Sequence, residues 1–277
     1  MTPGWQQAAK EADLTVWLDQ GTPIFFRYIA AGRLQMGTRG EFAREEPAHE
    51  VQITQPFYIS IFPVTQAQWR AVAERHPDSG LEPAPSHFEG EMHPVEEVSW
   101  NDVAGWCELV VDSRALDRLQ TSAGKAITIE RFGLPTEAQW EYACRAGTTT
   151  DYYTGDGASA LSAAGWFDGN SDGQTHPVGE LAANGFGLYD MHGNVWEWCL
   201  DAYDADVYKK RVNGVADPVV PGEDVGGDDP DRVIRGGSWF FTAWFCRSAY
   251  RYWYRPDYRL WYLGFRVCLV PGPVPQP

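Results

Sequence analysis

From Trp239 to Tyr262 the chain reads WFFTAWFCRSAYRYWYRPDYRLWY, and half of those 24 residues are aromatic, 12 of the 39 rings in a chain of 277 residues. Such a run restricts what the segment can become. In a strand, successive side chains point to opposite faces, so Phe240 and Phe241, Trp244 and Phe245, Tyr252 to Tyr254, and Trp261 and Tyr262 cannot all reach one interior. A helix fares no better, because Pro256 interrupts the run and no 3.6-residue stripe is present. Aliphatic filler is limited to Ala243, Ala249 and Leu260, whereas a packed core mixes Leu, Ile and Val with its rings. Many rings are therefore expected to face solvent, and a contiguous exposed apolar patch marks an interaction surface. Four arginines, Arg247, Arg251, Arg255 and Arg259, stand against Asp257 in the run. Arg, Trp and Tyr are the residues enriched at binding hot spots, so these charges are expected to serve the same surface.

The rest of the chain limits the partner. A formal net charge of −16 disfavours nucleic acid and anionic membranes, whose binding rests on concentrated Lys and Arg, although stacked rings suit single-stranded bases too. No apolar stretch is long enough for a membrane span. The first 20 residues lack a basic stretch followed by an apolar one, so a cytoplasmic location is expected. The five cysteines, Cys107, Cys144, Cys199, Cys246 and Cys268, form no CxxC pair and are expected to be buried and reduced.

Short apolar runs punctuated by Gly, Pro and Asp predict many short strands and long loops from about residue 24 onward. Three segments read as helices. Pro63 to His76 has Thr65 as N-cap; Ser99 to Leu116 has Asn101 or Asp102 in that role; Leu134 to Thr148 ends at Gly147, suited to the C-cap. The fold class is α+β, with an N-terminal extension over 1–23, one domain over 24–270 that contains the segment 239–262, and a tail over 271–277.

Several segments, in order, resemble one family: GRLQMGT from Gly32, PAHEVQITQPFYISIFPVTQAQW from Pro47, HPVEEVSWNDVAGWC from His93, GLPTEAQWEYACRAGT from Gly133, NGFGLYDMHGNVWEW from Asn184, and RVIRGGSW with LGFRV near the end. They are similar to the formylglycine-generating enzyme (sulfatase-modifying factor) family, which implies an elaborated C-type-lectin-like fold. The family's enzymes oxidise a substrate cysteine with copper held by two cysteines, which correspond here to Phe241 and Cys246. A phenyl ring donates nothing to a copper(I) site, so no copper and no catalysis are expected. The histidine cluster of iron-dependent relatives is not matched by His49, His76, His87, His93, His176 and His192. Ser238 of GGSW lacks the GxSxG turn and any recognisable His and acid partners, so it is not expected to be a nucleophile. The resemblance also implies one structural calcium, held by the side chains of Asp190 and Glu197 and the carbonyls of Gly193 and Val195, an oxygen-only set that suits a hard cation. A second calcium position matches poorly, with Gly165 where the family has Asn and only Trp166, Asn170 and Asp172 remaining.

Between RGGSW and LGFR the chain also resembles the variable region of proteins diversified by retroelements, in which an error-prone reverse transcriptase replaces adenines of a template copy. On that resemblance Phe240, Phe241, Thr242, Trp244, Phe245, Tyr252, Trp253, Tyr254, Arg255, Tyr258, Leu260, Trp261 and Tyr262 are the changeable, ligand-binding positions. CRSAYR, PD and Arg259 are framework. The expected function is non-catalytic binding of a macromolecule, a protein in the first place. The alternatives are a copper-dependent oxidase and a sugar-binding lectin-like module.

Overall fold

The computed structural model describes residues 2–38, 42–117, 119–211, 213–227 and 229–272. Its central sheet has strand order β1 (Leu14–Trp17), β2 (Pro23–Ile29), β5 (Phe57–Ser60), β14 (Cys268–Pro271), β6 (Ile129–Gly133), antiparallel throughout. A smaller sheet pairs β3 (Gly32–Met36) with β4 (His49–Ile53) and β10 (Val215–Ala216). The sheet beneath the aromatic segment runs β12 (Arg251–Tyr254), β11 (Arg232–Arg235), β9 (Trp196–Ala202), β13 (Leu263–Gly264), and β7 (Gly165–Trp166) pairs with β8 (His192–Gly193).

Strand β5 in the central sheet is buried along its whole length, which is why it reads as a near-continuous apolar run, whereas β1, β6 and β12 keep partly exposed positions. One core holds Tyr58, Leu269, Trp196, Trp198 and Ile234 against α2 (Gln66–Ala73) and α3 (Trp100–Asp112). The opposite one holds Phe57, Ile59, Cys268, Cys199 and Val233 against α4 (Glu137–Arg145). Two short helices, α5 (Ala158–Leu161) and α6 (Val207–Lys210), sit in the loops, and among the described residues no helix is long and apolar enough to cross a membrane.

The local signals act mostly as read. Thr65 caps α2 and Thr136 caps α4, each in a reciprocal capping box. For α3 the cap is Ser99, and Asp102 sits three residues in, where its carboxylate accepts the Ser99 N–H. The end of α4 comes one residue early, at Ala146 in the left-handed region (φ 45°), followed by Gly147 (φ 90°). Residues 2–23 pack against the rest of the chain. They form α1 (Pro3–Glu11), whose Trp5 stacks on Phe62 at 5.6 Å, and β1, which edges the central sheet. In the expected tail, Pro271 and Gly272 still belong to the sheet, since Gly272 N donates to Thr128 O, while 273–277 lie outside the described residues.

Helix α4 carries two fully buried acids that organise the strands above it. Glu137 receives both Nε and Nη2 of Arg251 at 2.7 and 2.8 Å, and Glu141 is paired with Arg145 and Arg235. Arg235 also donates to the carbonyls of Ala249 and Tyr250 at 2.8 and 2.6 Å, fixing the backbone where β12 begins. Burial raises the pKa of Glu137, but Arg251 and Arg235 outweigh it and hold the carboxyl below its usual range. Removing one partner leaves an uncompensated buried charge. Arg251→Met is expected to lower unfolding stability by about 3–5 kcal/mol, and adding Glu137→Gln to recover much of that loss in a urea titration.

Candidate ligand-binding surface

The aromatic segment starts at a turn that only glycine can make. Gly236 and Gly237 have φ of 96° and 71°, and a Cβ on Gly237 would sit 2.8 Å from the Cα of Cys246. This close approach seats the 3-10 turn Ala243–Cys246 against the start of the segment. Ser238 is fully buried at the turn.

From there the chain is tied down at intervals. His192 Nδ1 lies 2.7 Å from the Cys246 carbonyl, while Tyr153 N donates to Nε2 at 3.2 Å; burial lowers this imidazole's pKa to about 3, so it stays neutral. Arg247 makes a two-point pair with buried Glu45 at 2.9 and 2.8 Å. Arg251 is held by Glu137, the Pro256 carbonyl accepts from Asn101 N, and Arg259 grips Asp102 through two 2.7 Å contacts. The Leu260 and Tyr262 carbonyls accept from Glu97 N and Trp196 N.

Between these ties lie the thirteen positions named from sequence, and none is buried. Phe240 (49% exposed), Trp244 (44%), Tyr258 (44%) and Trp261 (36%) stand out, with Thr242 and Arg255 exposed beside them. Phe241, Phe245, Tyr252, Trp253, Tyr254, Leu260 and Tyr262 are half-buried, and all of these except Trp253 lean on the core below. The rings form an interlocked layer. Phe241 meets Phe245 and Tyr262 edge-on at 5.2 Å, Phe240 contacts Trp261 at 5.6 Å, and the Tyr254 and Tyr262 hydroxyls are 3.0 Å apart. Edge-to-face packing suits the ring quadrupoles and gives a stiff, shallow platform.

Arg247 and Arg251, read as framework, are buried with Glu45 and Glu137, and the framework Arg259 is paired with Asp102, so these three charges serve the fold; Arg255 is exposed beside Asp257. Three of those acids come from distant parts of the chain, which is why spacing within the segment did not reveal the pairs. Residues outside the segment also reach the platform. Phe42 meets Trp244 edge-on at 4.4 Å, Tyr203 stacks on Trp253 at 4.1 Å, and His87 and Phe88 pack on Trp261 and Trp239 at 5.4 and 5.2 Å. No local pattern marks them, because each is a single ring in an ordinary loop.

The metal expectations meet occupied side chains. Glu197 accepts from Arg266 at 2.7 and 2.8 Å and from Trp140 Nε1 at 2.6 Å, so a guanidinium already holds this carboxylate. Asp190 accepts from Gly179 N at 2.8 Å, with Asn194 Nδ2 at 3.5 Å. Gly193 and Val195 are buried in the same turn. As arranged, this set does not fit a calcium ion, which needs free oxygen ligands. The neighbouring loop closes on itself: Asn170 accepts from Phe167 N and donates to Gly165 O, and Trp166 O accepts from Asn194 N. All five cysteines are buried and unpaired, and burial pushes the Cys246 thiol far above its usual range, against the thiolate that copper requires.

The fold and face define a C-type-lectin-like frame of the formylglycine-generating-enzyme type that carries an aromatic platform on its C-terminal segment. The model of the sulfatase-modifying factor enzyme 1-like domain matches residues 26–270, and the chain belongs to that family. It is 30% identical to the formylglycine-generating enzyme of Mycobacterium tuberculosis, over 88% of this chain and 97% of that one. Among solved structures it is similar to Treponema denticola variable protein 1, with a TM-score of 0.76, 27% identity, and 93% and 98% of the two chains covered. PvdO from Pseudomonas aeruginosa gives a TM-score of 0.72 at 25% identity, covering 94% and 99%.

The loop bearing His87 and Phe88 is clasped by Glu96, which is fully buried. One carboxylate oxygen accepts from Phe88 N at 2.9 Å, the other makes no hydrogen bond of good geometry among the described residues, and Ser86 Oγ bonds the Glu96 backbone. Burial raises its pKa to about 8. A folded-state pKa above the unfolded one stabilises the protonated fold at low pH, and that stability drains as pH rises to about 8. Wild type is expected to lose up to about 1.4 kcal/mol per pH unit across that window, and Glu96→Gln to flatten the slope, in urea titrations from pH 5 to 9. For the Asp190–Glu197 turn, the melting temperature is expected to stay within a degree or so when calcium is added or chelated.

Proposed function

We propose that the chain is a non-catalytic binding protein whose platform, built from Phe240, Phe241, Thr242, Trp244, Phe245, Tyr252, Trp253, Tyr254, Arg255, Tyr258, Leu260, Trp261 and Tyr262, engages a protein ligand, and that a retroelement diversifies those positions. One observation carries the reading. Of the residues that tie the segment to the fold, Cys246, Arg247, Arg251 and Pro256 are buried and the exposed Arg259 is held by Asp102, whereas the thirteen between and around them all keep solvent-facing surface. Segregation of this kind lets side chains change without loss of the frame, and rigid Trp and Tyr supply contact area at low entropic cost. The similarity to the Treponema variable protein supports it.

Catalysis is the second reading, favoured by the identity to formylglycine-generating enzymes. Against it stand Phe241 at the first thiol position and the buried, protonated Cys246. The deciding observation is genetic. Sequencing the locus across isolates is expected to reveal substitutions concentrated in the thirteen codons and a nearby copy of codons 239–262 that differs at adenines. Uniformly scattered variation without such a copy sinks diversification, and copper-dependent oxygen uptake with a cysteine peptide would shift the choice to the oxidase.

A further inference from the structure

Arg44 lies outside the segment, yet it covers part of the platform. Its guanidinium carbon is 4.7 Å from the Trp253 ring centroid and 5.2 Å from that of Tyr252. Below it the rings form a stack, with Tyr252 and Trp253 at 4.6 Å and 25°, and Trp253 and Tyr203 at 4.1 Å and 17°. The loop that carries Arg44 is pinned on both sides. Glu45 is buried in its two-point pair with Arg247, and Phe42 meets Trp244 edge-on while its ring lies 4.6 Å from the Arg247 guanidinium.

Every arginine inside the segment has a carboxylate partner, and Arg44 has none among the described residues, nor any hydrogen-bond acceptor. It is exposed. A guanidinium over an aromatic face uses its π surface there and leaves its in-plane N–H groups free for a planar anion. In a chain of net charge −16, an unmatched cation fixed on an apolar platform is a local exception to the surrounding field.

We infer that Arg44, on the Tyr252–Trp253–Tyr203 stack, reads a carboxylate of the protein ligand, an Asp or Glu side chain flanked by apolar residues. This rests on the reading of the platform as the binding face and adds a fixed contact outside the variable positions. Ligands selected by versions of the segment that keep aromatic rings at positions 252 and 253 would then share an acidic residue at the point facing Arg44.

A displayed library of random linear peptides serves as the probe, selected on the full chain and on Arg44→Ala. Binders to the wild type are expected to be enriched in Asp or Glu, to lose binding with Trp253→Ala or Phe240→Ala, and to bind Arg44→Ala about tenfold more weakly, with partial rescue by Arg44→Lys. An unchanged melting temperature for Arg44→Ala separates the effect from misfolding. Peptides that need the rings but bind Arg44→Ala equally well overturn the carboxylate site and leave the platform standing. A selection that yields no binder dependent on Phe240, Trp253 or Trp261 counts against the platform itself, and the Arg44 site falls with it.

Discussion

The buried ion pairs of helix α4 are the constraint on which the rest depends. Glu137 and Glu141 occupy positions that a core normally fills with aliphatics, and their charge is tolerable only because Arg251, Arg235 and Arg145 arrive with matching geometry. Two of those arginines lie on adjacent strands of the sheet beneath the aromatic segment, Arg235 on β11 just before it and Arg251 on β12 within it. The same contacts that neutralise α4 therefore set the backbone path at Ala249–Tyr250 and along β12. Hydrophobic packing is tolerant of exchange, whereas a bidentate pair admits one arrangement. A frame fixed by such pairs can hold a segment whose outward-facing side chains contribute little to its placement.

That division explains the composition of the segment. A ring on the platform leans on its neighbours and on the core through one edge, and offers the other to solvent. Its loss costs packing on one side only. The small ties, such as Gly237 against Cys246, admit no such freedom, because the space is filled by backbone.

What could be read from the sequence follows the range of the interactions. Outward-facing rings follow from local rules, since adjacent residues in extended chain cannot share a face and Pro256 forbids a helix. A cap such as Thr65 acts within three residues and is equally visible, although at Ser99 the choice among neighbouring polar residues depends on which N–H groups lie in reach. The partners of Arg247 and Arg251 were not visible, because they lie 202 and 114 residues away. Glu197 illustrates the same limit. The motif around it suggested a cation ligand, and the cation it meets is Arg266, 69 residues on. Phe42, Arg44, His87, Phe88 and Tyr203 become part of the face only through loop placement.

Strand β14 enters the middle of the central sheet, between β5 and β6, and the chain supplies it only after the aromatic segment has been made. A chain that stops within the segment leaves β5 and β6 without the strand that joins them, and leaves Glu197 without Arg266. Such a product carries the platform's first rings on a sheet whose edge strand β6 is detached. The frame is thus closed only by residues that follow the segment, so the strand that completes the central sheet is also the last one the chain supplies.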